Sequence, residues 1–283
     1  MIRNKRFRYY FVLIFCLFLR ISEVLANEEA QERAYHAVSS SRYNFDGNPY
    51  IDKKMRKMMR PYCIPLDHPL KASLDTIFSQ SRAIENEPAF ANAGFVTLFA
   101  QPISYLRIAR HPLLPGYLLK VCLDNETRQK KGIPAWQWLV NRCKGAENIR
   151  KLIKEKKLRY FTVPDKWIYP LPVNPMPALP NGQSQQPVIL VVKDMNIVSA
   201  RQTRDIWKNK ITTRHLDELY CILSHGYSSC FLVGNIPYCK NGKFACIDTE
   251  YPQRQLIYKK IKRYLSEDMN AYWDKLIKSG GKL

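Results

Sequence analysis

The chain has 283 residues, and 45 Lys and Arg outnumber 24 Asp and Glu to give a formal charge of +21 at neutral pH. That length suits one large domain or two smaller units with an ample hydrophobic core. No internal repeat is visible, and beyond the amino terminus no stretch is apolar and long enough to span a bilayer.

Arg3, Lys5, Arg6 and Arg8 precede an apolar run over 9–19 that ends at Arg20. Eleven helical residues rise only about 16 Å, short of a hydrocarbon core of roughly 30 Å. Val24, Leu25 and Ala26 then offer a small-residue exit before Asn27. This is the pattern of a secretory signal peptide over 1–26, and Arg20 argues against an uncleaved anchor. The expectation is an exported protein, periplasmic or secreted, whose mature charge is about +17.

Seven cysteines remain after Cys16: Cys63, Cys122, Cys143, Cys221, Cys230, Cys239 and Cys246. The odd number leaves at least one without an intrachain partner, and no CxxC pair suggests a zinc ribbon. Most sit in apolar stretches, as small core residues do, and such thiols would suit a reducing destination.

Residues 27–68 read as a basic arm. Lys53, Lys54, Arg56, Lys57 and Arg60 interleave with Met55, Met58 and Met59, so the arm is either solvated or an amphipathic helix with a cationic face. Leu70, Leu74, Ile77 and Phe78 predict one helix over 69–91, with Ser73 and Asp75 outward. Short β-rich runs at 94–100, 104–109 and 117–123 predict strands. Two helices follow at 135–143 and 147–157, then strand pieces at 161–163 and 167–169. Pro170, Pro172, Pro175, Pro177, Pro180 and Pro187 mark a surface loop before an apolar strand at 188–192. Ile206, Leu216, Leu219, Ile222 and Leu223 indicate a helical stretch, and Leu256, Ile257, Ile261, Tyr264 and Leu265 a closing helix from Gln255.

The informative stretch is 233–250. Asn235 leads into a strand, Asn241-Gly242 reverses it, and the return strand delivers Asp248. An Asn-Gly pair between apolar runs is a strong hairpin signal because both residues accept positive φ. Asn235 and Asp248 are thereby expected at neighbouring strand ends, where an amide oxygen and a carboxylate suit a hard cation carrying phosphates. Asn235 as a turn residue, Lys120 as a protective edge-strand lysine and Asp248 as the start of a helix are the alternatives. His225 before Gly226 reads as a helix end.

This stretch resembles the catalytic-loop asparagine and metal-binding aspartate of protein kinases and kinase-like small-molecule phosphotransferases. The resemblance covers roughly residues 105–250. It implies an α+β, two-lobed protein-kinase-like fold: a small antiparallel-sheet lobe with helices over 69–193, then a mostly helical lobe over 194–283, with Lys193, Asp194 and Met195 as the hinge. Lys120 would bind phosphate, with Glu147, or alternatively Glu155, as its partner. Asn235 and Asp248 would hold Mg2+, and ATP would be the nucleotide.

The departures point to a pseudokinase. Cys230 stands where the catalytic-base aspartate belongs, and Ser228 where the usual histidine would be. Neither a thiol nor a hydroxyl is the ordinary base at neutral pH. A glycine-rich loop is missing, since 90–111 contains only Gly94. Glu250 or Asp194 could replace the base and sustain residual phosphotransfer. The expected partners are a nucleotide and a protein. The competing reading is a secreted basic protein without a nucleotide site that holds acidic surfaces. A nucleic-acid role ranks below both for want of a recognised module, and nothing matches GxSxG, HExxH or a Walker loop.

Overall fold

The computed structural model describes residues 48, 51–101, 105–126, 132–174, 185–227, 229–250 and 257–281. The expected signal peptide, the arm before residue 48 and Ser228 lie outside the described residues. The protein is mixed α+β: a five-stranded antiparallel sheet with helices packed on it, followed by a helical region.

Helix α1, Lys53–Met59, begins at Asp52, whose carboxylate accepts from the Met55 amide at 2.8 Å. Met55 and Met59, four residues apart, bury one stripe while Lys53, Lys54 and Lys57 remain exposed. The helix is therefore amphipathic, and its apolar side joins the core instead of lying loose. After a 3-10 turn, the Ile64 amide donates to the Ile168 carbonyl at 2.9 Å.

The single helix expected over 69–91 is two helices, α2 (Lys71–Gln80) and α3 (Glu87–Asn92). The chain turns extended at Ser81, and Asn86 caps α3 by accepting from the Ala89 amide at 2.9 Å. The break seats Arg82, which is buried and donates to both Asp124 oxygens, at 2.7 and 2.9 Å, and to the Gln186 carbonyl at 2.7 Å. Asp75, expected outward, is buried: it accepts from the Tyr169 hydroxyl at 2.8 Å and pairs with Lys71 at 2.5 Å.

The strands are β1 (Val96–Gln101), β2 (Leu106–Arg110) and β3 (Tyr117–Val121). Then come helix α4 (Ala135–Lys156), β4 (Phe161–Thr162), β5 (Lys166–Pro170) and β6 (Val188–Lys193). The sheet order is β1-β2-β3-β6-β5, with every neighbouring pair antiparallel. Ile108 lies opposite Lys120, Lys120 opposite Leu190, Leu118 opposite Val192 and Lys166 opposite Val192. Side chains alternate along a strand and directly opposed residues share a face, so Ile108, Leu118, Lys120 and Lys166 occupy one face. Helix α4 covers that face, with Leu139, Val140 and Cys143 in one core cluster with Leu190 and Val192. On the other face Leu119, Val121, Ile189 and Val191 pack with Leu74 and Phe78 of α2 and Phe90 of α3.

The two helices expected over 135–157 are one helix of 22 residues. Gly145 interrupts the sequence pattern without breaking the helix. A Cβ there would lie 2.1 Å from the Thr249 carbonyl oxygen, so glycine permits close approach of the 247–250 segment. The far half of α4, with Ala146, Ile149 and Leu152, belongs to the core of the helical region.

That region contains α5 (Ala200–Asn209), α6 (Thr213–Ser224), α7 (Leu232–Asn235), β7 (Phe244–Ala245), a 3-10 turn (Tyr258–Tyr264) and α8 (Glu267–Lys278). Ser199 and Gln202 form a reciprocal capping box for α5. Gln255 and Leu256 of the expected closing helix lie outside the described residues; beyond them it divides into the 3-10 turn and α8, because Ser266 caps a fresh start. The Asn241-Gly242 reversal forms: the Cys239 amide donates to Lys243 at 2.8 Å, and Gly242 has φ +85°. Its strands are shorter than expected, with one antiparallel bridge, Tyr238 to Phe244, because β7 pairs instead with β4 in parallel. Trp207 fastens this region, stacking on Phe244 at 4.0 Å and donating to the Ile236 carbonyl at 3.2 Å. Among the described residues no helix is long and apolar enough to cross a membrane.

Candidate functional site

Lys120 sits mid-strand in β3, between β2 and β6, so the edge-strand alternative does not hold. It is buried, and its Nζ lies 3.5 Å from the carbonyl oxygen of Ile247. Lys166 reaches the same carbonyl at 3.1 Å and donates to the Thr249 hydroxyl at 2.6 Å. That hydroxyl in turn donates to the Arg142 carbonyl of α4, also at 2.6 Å. The segment leaving β7 is thus pinned beneath the sheet by hydrogen bonds to three elements, β3, β5 and α4.

Arg142 completes the cluster. It is 3% exposed; its Nη2 lies 2.5 Å from Glu250 and its Nε 3.5 Å from Asp248. Nη1 has no hydrogen-bond acceptor among the described residues. Glu250 is buried, whereas Asp248 keeps about a third of its side chain exposed. The site is therefore a buried set of three cationic side chains against two carboxylates, one of which, Asp248, is partly exposed.

The electrostatics follow from that crowding. Burial, aided by Arg142, holds the Lys120 ammonium down at about 8, although Asp248 and Glu250 oppose the shift. Lys166 is pushed well below the ordinary lysine range, first by burial and then by Lys120. Burial drives the neighbouring Cys143 thiol up to about 12, so it is a neutral core group.

The other expected site residues fall differently. Glu147 is exposed and accepts from the Tyr62 hydroxyl at 3.1 Å, while Arg142 is the α4 residue in the cluster with Lys120. Glu155 lies further along α4, 3.9 Å from Lys151. Asn235 ends α7, and its carbonyl accepts from the Ile247 amide at 3.0 Å, which sets it beside the segment carrying Asp248. Cys230 is buried. Sequence reasoning missed Arg142 and Lys166. Lys166 carried a readable signal, since it occupies a strand position in step with Ile168; Arg142 carried none, because a basic residue on a basic helix looks like solvated surface.

The donor set does not suit a magnesium ion. A hard dication gathers several oxygen ligands. Here the Asp248 carboxylate is shared with Arg142, and Lys120 and Lys166 add positive charge around it. Among the described residues no group of three or more His, Cys, Asp and Glu side chains is placed to hold a metal.

Comparison with family models, curated proteins and solved structures found no match to this chain.

Proposed function

We propose that the protein is an exported, kinase-like pseudoenzyme that binds a nucleotide in a cleft between its sheet and its helical region. The observation that carries this reading is the placement of Lys120. It projects from an interior strand onto the backbone immediately before Asp248, on the same sheet face as the half-buried Ile108 and Leu118. An apolar roof beside fixed cations suits a planar base followed by phosphates. The order of β1, β2, β3, α4, β5 and β6, with the lysine on the third strand, supports a two-lobed kinase-like arrangement. Burial of Cys230 just before α7, in place of a base, supports binding without efficient phosphotransfer.

Thermal unfolding with and without ATP, beside a Lys120→Met variant, tests this. A ligand that binds only the folded state raises the midpoint, by an amount that grows with concentration. A rise in the parent that the variant lacks is the expected result. No shift with any nucleotide, with magnesium or without it, would sink the reading.

A second reading has its own observation. Helix α1 presents Lys53, Lys54 and Lys57 to solvent on a firmly packed scaffold. It would attach the protein to an acidic surface without any nucleotide, through contacts that weaken as salt rises.

A further inference from the structure

We infer that the ligand's phosphates are held by Lys120, Arg142 and Lys166 directly, with no divalent cation between them and the protein. The inference rests on the nucleotide reading above and concerns how that site neutralises charge.

A nucleotide site must offset two to four negative charges on the phosphates. It can do so with a metal held by carboxylates or with fixed cations. In the first design the carboxylates must be available to the metal. Here Glu250 is 2.5 Å from Arg142 Nη2, and Asp248 faces the same guanidinium. A dication entering this setting would meet the part-exposed Asp248 first, but that carboxylate faces the Arg142 guanidinium and Glu250 is already paired with it, so few oxygen ligands are left for a metal. The second design needs surplus positive charge and donors still to be used. Cationic side chains outnumber carboxylates by one, the two lysines can take up protons as an anion arrives, and Arg142 Nη1, in a side chain 4% exposed, has no acceptor among the described residues.

The cations are also rigidly placed. Lys120 and Lys166 stand on separate strands of one sheet with β6 between them, and both converge on the Ile247 carbonyl. Arg142 is fixed from the helix side by Glu250, and the Thr249 hydroxyl ties its backbone to Lys166. All three are less than a tenth exposed, so phosphate oxygens reach the lysines by replacing the oxygens of the 247–249 segment they now hold, and a planar guanidinium favours two-pronged contact with them. Burial first, and then the neighbouring cations, lower both lysines; an arriving anion opposes that shift, so binding draws protons from solution.

The inference separates from a metal-bridged mode through Asp248. If a metal carries the phosphates, Asp248 is indispensable. If the cations do, it is a competitor for Arg142. The experiment measures binding of ATP, ADP, adenosine and inorganic tripolyphosphate to the full chain, in EDTA and in magnesium at matched ionic strength. It is repeated with D248N and with the paired change R142M/E250Q. The pair removes opposite charges together, so no single buried charge is stranded, and the circular dichroism melt verifies folding.

The expected result is that ATP, ADP and tripolyphosphate bind in EDTA at least as tightly as in magnesium, and adenosine binds at least tenfold more weakly. D248N keeps or gains affinity, and R142M/E250Q loses about tenfold or more, as expected for losing a hydrogen bond to a charged group. ATP binding that requires magnesium and vanishes in D248N overturns the inference while leaving the nucleotide reading intact. Equal affinity for adenosine and ATP also overturns it, because the phosphates would then contribute nothing. Absence of binding under every condition removes both.

Discussion

Lys120 is held near 8 in the folded protein by burial and by Arg142 in α4, with Lys166 beside it in β5 and Asp248 and Glu250 pulling the other way. The unfolded chain restores the ordinary lysine value near 10.5. Between those values the unfolded state binds more protons than the folded one, so stability rises as pH increases from about 8 towards 10.5 and is flat for this group outside that window. Lys166 contributes in the same direction. Urea unfolding across pH 7 to 10.5 should show the rise, and Lys120→Met should flatten part of it; a parent curve that falls across that window would contradict the buried placement of these amines. Arg82 gives a second residue-scale expectation. Its guanidinium meets Asp124, whose side chain is fully buried, so Arg82→Met leaves that carboxylate stranded. A loss of roughly 3–5 kcal/mol in chemical denaturation is expected.

At the scale of elements, α4 is the piece on which the two parts of the protein agree. Its first half packs on the sheet, its second half on the helical region, and between them Gly145 lets the Thr249 backbone touch the helix. Gly145→Ala must displace either the helix or that segment. It should cost roughly 1–3 kcal/mol by overpacking and, on the nucleotide proposal, weaken ATP binding in parallel. Ala146→Gly, one position on, supplies the control: it loses packing and helix propensity without forcing the segment away, so its ligand affinity should be unchanged. The same glycine explains what could be read from the sequence here. A 3.6-residue period identified both halves of α4, but a glycine between two apolar stripes looks like a boundary unless its neighbour across space is known. The split of 69–91 into α2 and α3 was hidden for a similar reason, since Arg82 leaves helical geometry to reach Asp124, a partner 42 residues away. Strands were legible because they are short, β-branched and bounded by Gly and Pro. The Asn241-Gly242 turn was legible because its chemistry is local.

At the scale of the whole molecule, the cysteines report how the interior closes. All seven in the described residues carry thiols; Cys122, Cys143, Cys230, Cys239 and Cys246 are buried, whereas Cys63 and Cys221 are half-buried. The reading of most of them as small core residues holds. Timed alkylation in native buffer should modify Cys63 and Cys221 first, though slowly, because burial raises both thiols, Cys63 to about 11. The other five should react only at the rate of opening. Fast labelling of all seven would show that the interior is not closed in solution. The candidate site was legible only in part at this scale. Lys120 and the Asn235 and Asp248 pair stood out because their strand and hairpin contexts are local, while the cluster that surrounds them draws on α4 and β5. Its charge balance appears only once those elements are packed.

The parallel pairing of β4 with β7 joins residues 161–162 to 244–245, and Arg142 finds Glu250 across more than a hundred residues. Loops of that size close late, after local hairpins and helices have formed. As the chain emerges from the ribosome, the sheet from β1 to β6 has all its strands long before Ile247, Asp248 and Glu250 exist. Lys120, Arg142 and Lys166 therefore await their counterparts during synthesis, and the charged pocket becomes whole only when nearly the entire chain is present. A nascent fragment ending before residue 247 should hold the sheet yet leave Lys120, Arg142 and Lys166 without the backbone oxygen and carboxylates that fix them, so the ordering of these three side chains marks the completion of folding.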